Sequence, residues 1–165
     1  MKKCIAVILF INLFLNFQIR SQGQVISPPE YLGYNLGEAF TPHYKVTGYL
    51  EKVSGQSARA EFRNYGETYE GRPLNVLIIS SEENIGNLEN IRINNLQKAG
   101  MIPGEPDKNG KIIVWLCYNV HGDEARSTEA AMATVYKLLS VDDPVGEWLE
   151  NTLGGVGRGI GGGGR

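Results

Sequence analysis

Histidine and cysteine are scarce, with two of each in 165 residues. The cysteines are Cys4 and Cys117, and Cys4 falls in an N-terminal segment that reads as a cleaved signal. No intramolecular disulfide remains, so packing must hold the fold. Cys117 lies inside an apolar run and is expected to be an inert buried thiol. The two imidazoles are His43 and His121; His43 falls in a helical stretch and reads as a partly exposed helix residue. Basic charge is also lacking. The 16 Lys and Arg are outnumbered by 18 Asp and Glu. Residues 1–23 hold Lys2, Lys3 and Arg20 and no acid, so without them the net charge is about −5. That argues against a nucleic-acid partner, which needs a basic face, and no RNA- or DNA-binding pattern occurs.

A long apolar run is missing too. The most apolar stretch near the start, "CIAVILFINLFLNF", is too short to span a bilayer comfortably. It follows the basic "MKK" and precedes the small residues Ser21 and Gly23, the arrangement of a secretory signal with cleavage near Gly23. The mature chain would begin near Gln24, be secreted or periplasmic, and keep no stable membrane association. Hydrophobic content of 42% and charged content of 21% fit one globular domain long enough to bury a core. Nothing in the sequence fixes an oligomeric state.

Between residues 24 and 153 the chain alternates helix-like and strand-like stretches. Residues 24–40, rich in Pro, Gly and Tyr, read as an irregular lead-in. "TPHYKVTGYLEKVSG" predicts a helix with Thr41 as N-cap, Pro42 in the first turn, Val46, Leu50 and Val53 on one face, and Gly55 as its end. "ARAEFRNYGET" and "PLNVLIIS" predict strands joined by a "YEGRP" turn in which Glu70 and Arg72 act structurally. A polar helix over "NLENIRINNLQKAG" and a turn-rich loop follow. "IIVWLCYNV" is the most apolar strand and is expected at the centre of the sheet, buried on both faces, with Trp115 in the core. "STEAAMATVYKLLS" predicts a helix with Ala131, Val135 and Leu138 facing inward, and "DDPVGEWLENTL" a short one anchored by Trp148. The fold class is α/β: a mixed, largely parallel sheet with helices on both faces. "GGVGRGIGGGGR", residues 154–165, is dominated by glycine, which loses most backbone entropy on ordering and has no side chain to bury. It is expected to be a disordered tail.

The stretch that carries chemistry is "YNVHGDEARST". An apolar strand delivers His121 to its carboxyl end, and Glu124 follows three residues later at the start of a helix. Zinc takes imidazole nitrogen and carboxylate oxygen, and a His-x-x-Glu spacing across a strand-to-helix turn lets both converge on one ion. Gly122 lets the backbone turn sharply. Ligands of open α/β sheets gather beyond the carboxyl ends of strands. On spacing alone, a surface histidine and a glutamate paired with a helix N-terminus is the better account. Arg126 reads as a solvated charge and Asp123 as a helix cap.

The wider context resembles the zinc carboxypeptidases, peptidase family M14. There a strand, an E-G-R-P-L turn and a second strand precede an apolar strand ending in His-x-x-Glu. The matching residues are Gly66, Thr68, Glu70, Gly71, Arg72, Pro73 and Leu74, then His121, Gly122 and Glu124, within roughly residues 40–153. The resemblance implies a hydrolase acting on the C-terminal bonds of a peptide or protein substrate, with Zn2+ held by His121 and Glu124. In that family the third ligand is a downstream histidine, and the general base and the carboxylate-binding groups also come later; no histidine follows His121 here. The resemblance therefore implies an incomplete domain, N-terminal in character, with weak zinc binding and no activity of its own. Two other readings stand beside it. One is an N-acyl amino-acid hydrolase of the succinylglutamate desuccinylase and aspartoacylase type, which shares His-Gly-x-Glu. The other is a non-catalytic secreted binding module.

Overall fold

A computed structural model describes residues 24–119, 124–140 and 145–158. The proposed signal, residues 1–23, lies outside the described residues. No helix among them is long and apolar enough to cross a membrane.

Local signals place most of the elements. In the lead-in, the Ser27 side chain accepts the Glu30 N–H and opens a short helix α1 (Pro28–Leu32), which Gly33 closes in the left-handed region at φ 80°. Helix α2 (His43–Gln56) starts after Pro42, so Thr41 is not its cap. Thr41 is buried instead, and its hydroxyl donates to Glu129 Oε1 at 2.7 Å. Strands β1 (Ala60–Glu67) and β2 (Pro73–Ile79) pair across the "TYEGR" turn. That turn is closed by three bonds. Thr68 N–H donates to the Arg72 carbonyl, Arg72 N–H to the Thr68 hydroxyl, and Gly71 N–H to the Thr68 carbonyl, with Gly71 at φ 73°. Arg72 pairs with Glu70 at 2.8 Å, the structural role expected of both.

Two helices follow, α3 (Glu82–Gly86) and α4 (Leu88–Lys98). Then come β3 (Ile112–Tyr118), α5 (Ala125–Leu139), α6 (Val145–Asn151) and β4 (Thr152–Arg158). The sheet order is β1-β2-β4-β3. The fold is mixed α/β, as expected, but the described sheet is not largely parallel: β3 runs parallel to β4, while the β1–β2 and β2–β4 pairs are antiparallel.

Helices cover both faces. On one, Leu77 and Ile79 of β2 and Val156 of β4 meet Val46, Tyr49, Leu50 and Val53 of α2 and Ala131, Met132, Val135 and Leu139 of α5. Leu77, Ile79, Val53, Met132 and Val135 are fully buried. Each such side chain contributes about 1.5–3 kcal/mol by leaving water. Tyr49 is buried with them; its hydroxyl donates to the Ile26 carbonyl, and burial, then the neighbouring Tyr136, pushes its phenol above the ordinary tyrosine range. On the other face a smaller cluster joins Leu88 and Ile91 of α4 to Leu153 and Ile78.

The glycine-rich segment corrects the sequence reading. Residues 154–158, expected in a disordered tail, form most of β4, an inner strand bonded on both sides. Residues 159–165 lie outside the described residues. The physical reason is that β4 is stabilised through its backbone, whose amides and carbonyls pair with β2 and β3, while only Leu153 and Val156 need bury side chains. Bare glycines also make room for Trp115. A Cβ at Gly155 would lie 2.9 Å from its Cε3, and one at Gly157 would lie 3.0 Å from its Cζ2.

Placing β4 inside moves β3 outward. Among the described strands β3 is an edge, not the centre, and its burial differs accordingly. Ile112 is 63% exposed and Trp115 48%. Cys117, expected to be buried, is exposed as well. On α6 the anchor is Leu149, while Trp148 faces solvent, and on α5 the inward residue is Leu139 with Leu138 only partly buried.

One buried polar knot holds β4 in place. The Asn84 side-chain amide donates to the carbonyls of Leu149 and Glu150 and to Ser80 Oγ. Ser80 Oγ in turn reaches the carbonyls of Leu149 and Thr152. The Leu149 and Glu150 carbonyls are among those that the end of α6 leaves without helical partners.

Candidate metal centre at the carboxyl end of β3

The site is built where β3 gives way to α5. Tyr118 closes the strand, and its hydroxyl donates to Thr134 Oγ1 at 2.9 Å, fixing the strand end to the middle of the helix. Asn119 follows at φ 59°. Asparagine accepts this left-handed conformation more readily than most side chains. Its N–H donates to Ser127 Oγ at 2.8 Å, and its Oδ1 accepts the Thr128 hydroxyl at 3.1 Å. The chain leaving β3 is thereby clamped to the first turn of α5.

Glu124 stands directly before α5, at φ −80° and ψ 56°, half-buried, with its carbonyl accepting the Ser127 N–H at 3.0 Å. The amino end of a helix favours negative charge, which suits a carboxylate there. The structure thus puts Glu124 at the start of the helix, where the spacing expects it. His121, Gly122 and Asp123 lie outside the described residues. Arg126 is exposed, in keeping with a solvated charge.

The donor chemistry, one imidazole and one carboxylate, fits zinc as part of a ligand set. It does not complete one: among the described residues no three His, Cys, Asp or Glu side chains gather closely enough to hold an ion. His43 sits exposed at the start of α2, with Nε2 3.4 Å from Thr47 Oγ1.

Beside this corner lies a cavity of about 400 Å³. Val46, Leu50 and Ala131 form apolar wall, while His43, Arg72 and Asn119 line it from α2, the "EGRP" turn and the end of β3. The turn that marks the resemblance and the strand end that carries the His-x-x-Glu motif therefore share one cavity. Sequence reasoning missed Asn119, Ser127 and Thr128. Their signal was present: an asparagine after an apolar strand, and a Ser-Thr pair at a helix start.

The family description of peptidase family M14, zinc carboxypeptidase, matches residues 46–153, a span that includes β1 to α6 and both His121 and Glu124. Among solved structures, a metallo-carboxypeptidase from Burkholderia cenocepacia is similar at 18% identity and a TM-score of 0.43. The alignment covers 71% of this chain and 25% of that one, so the chain spans about a quarter of its length. No curated protein matches. The family match extends over most of the chain, from α2 through the site corner, and the chain belongs to the zinc carboxypeptidase family, M14.

Proposed function

We propose that this chain supplies the metal-binding corner of a secreted or periplasmic zinc metallocarboxypeptidase acting on peptides, with His121 and Glu124 as two of the zinc ligands. The observation that carries the reading is the position of Glu124 at the amino end of α5, within the family match and just after a strand end clamped by Asn119, Ser127 and Thr128. The clamp is the chain's own contribution. It ties Asn119, which precedes the segment carrying His121, to Ser127 and Thr128 in the first turn of α5, which follows it. Zinc, when bound, supplies a Lewis acid that polarises a carbonyl and lowers the pKa of its water. The chain holds two histidines. A His₂Glu set therefore needs either His43 or an imidazole from outside this sequence. We take the second course, because the resemblance puts the third ligand downstream of His121, whereas His43 lies upstream, exposed at the start of α2. By itself the chain then binds zinc weakly and does not hydrolyse peptides.

Zinc titration of the full chain against a competing chelator tests this. His121→Ala and Glu124→Ala should each weaken binding by more than about tenfold, since even outer-shell partners are worth 10–100-fold. His43→Ala should leave it unchanged. Full affinity after His121→Ala would sink the ligand assignment. Zinc-dependent release of C-terminal residues from peptides, abolished by His121→Ala, would overturn the claim that the chain is inactive alone.

A further inference from the structure

The loop between α4 and β3 holds a reactive dipeptide. Asn109 is the one asparagine of the sequence that is followed by glycine. It sits exposed in a turn, and among the described residues its carboxamide has no hydrogen-bond partner. The carboxamides of Asn64, Asn84, Asn94, Asn95 and Asn119 are all bonded. Gly110, by contrast, is tied down. Its N–H donates to the Asp107 carbonyl at 3.2 Å, and its carbonyl accepts from Lys98 Nζ at 3.0 Å. Asn94 of α4 holds Asp107 in turn: Asp107 N–H donates to Asn94 Oδ1 at 2.7 Å, and Asn94 Nδ2 donates to the Asp107 carbonyl at 3.4 Å. A Cβ at position 110 would run into Asn94 Nδ2 and lie 3.1 Å from the Asp107 carbonyl oxygen. The packing that fixes this loop therefore also requires glycine after Asn109. All of these groups lie within residues 94–111, on one helix and the loop that follows it.

We propose that Asn109 is a site of spontaneous deamidation, and that the hold of Asn94 on Asp107 sets its rate. Asparagine is chemically labile, and the reaction needs only water. The Gly110 amide nitrogen attacks Asn109 Cγ and loses its proton to water. The new C–N bond closes a cyclic succinimide. The bond from Cγ to the side-chain nitrogen breaks, and that nitrogen takes up a proton and leaves as ammonia. Water then opens the ring. Cleavage at Cγ gives aspartate, and cleavage at the main-chain carbonyl gives isoaspartate. In sum a water is consumed and an ammonia released, with nothing oxidised or reduced. Glycine favours ring closure because no Cβ crowds it and its backbone turns freely. The turn opposes it. The attacking nitrogen must shed the proton that it donates to Asp107, so that bond has to open first. The folded chain thus reacts through a locally opened loop, and Asn94 resists the opening.

The test incubates the full chain at mildly alkaline pH, folded and in urea, and follows the amide-to-acid mass gain by peptide mapping. In the folded parent Asn109 should react ahead of every other asparagine, yet severalfold more slowly than in urea. Asn94→Ala removes both contacts to Asp107 and puts a good helix former on α4. It should raise the folded-state rate severalfold, with circular dichroism unchanged. Asn109→Gln, whose longer side chain closes the smaller ring no longer, should remove most of the gain from that peptide. A folded parent in which another asparagine reacts first would overturn the site. A folded rate equal to the rate in urea would overturn the protection by the turn, and this comparison stands even where Asn94→Ala fails to fold. An unchanged rate in a folded Asn94→Ala chain would overturn the role of Asn94.

Discussion

The two edges of the sheet were written in different alphabets. β1 alternates Glu61, Phe62 and Arg63, turns apolar residues to α2 and charged ones outward, and is kinked by a bulge. β3 is apolar at all seven positions, and several of its residues stand in solvent. The difference teaches that apolar alternation reports how many faces of a strand can be covered, not where the strand lies across the sheet. β1 reads correctly because a strand with one wet face shows its period. β3 reads as central because both its faces are apolar, yet lateral position depends on which strand slips in beside it. Here that strand is β4.

How firmly β4 is seated decides whether the β3 edge belongs to the same cooperative unit as β1. The largest effect is expected at the knot that seats it. Asn84→Ala removes the donors to the Leu149 and Glu150 carbonyls and leaves buried acceptors short of partners. It should cost about 2–3 kcal/mol in urea unfolding. If β3 and β4 unfold first while β1 and β2 persist, a Trp115 fluorescence transition should precede the loss of helix signal. Coincident transitions of unchanged midpoint would show that the knot does not join the halves.

A smaller effect is expected where β3 rests on β4. Gly155→Ala places a Cβ 2.9 Å from the Trp115 ring, and the indole must move. The expected cost is about 1–2 kcal/mol, at the lower end for an overpacked site because Trp115 is half exposed. Gly154→Ala is the control: its Cβ would meet only the Ile79 carbonyl at 3.6 Å, an ordinary contact. Equal losses at the two positions, read from thermal melts, would show that the glycines serve backbone freedom and not the seating of Trp115.

Legibility followed the same divide. Helices α2, α4 and α5 and strands β1 and β2 lie within a few residues of where periodicity and turn residues put them. Side-chain pattern and burial agree there: Val46, Leu50 and Val53 recur on one helical face and are all buried. The place of Glu124 at the start of α5 was legible because a helix-forming run begins directly after it. β4 was not legible. Glycine carries no side-chain period, and the bonds that hold Gly154, Gly155 and Gly157 belong to the backbone, which every sequence shares. The errors over Trp115 and Cys117 came from taking an apolar run as burial on both faces, whereas among the described strands β3 is an edge. The Asn119 clamp escaped for another reason: its partners, Ser127 and Thr128, come together only when the strand and helix are already set side by side.

The smallest stability effect, and the sharpest test of what distinguishes the edges, comes from erasing the guard on β1. Glu61 and Arg63 form an ion pair with about half of the arginine side chain in solvent. Such pairs contribute roughly 0–1 kcal/mol, because solvent screens the attraction and ordering two long side chains costs entropy. Replacing both with valine, a good strand residue, should therefore leave unfolding free energy within about 0.5 kcal/mol of the parent. Association should change far more. With its charges gone, β1 would present apolar side chains beside the remaining bulge, an unguarded edge that can template another strand. Light scattering of the Glu61→Val, Arg63→Val double variant should rise with concentration well beyond the parent's. If the double variant scatters like the parent, the charges on β1 are not what keeps that edge unpaired, and the guard must lie in the bulge at Tyr65.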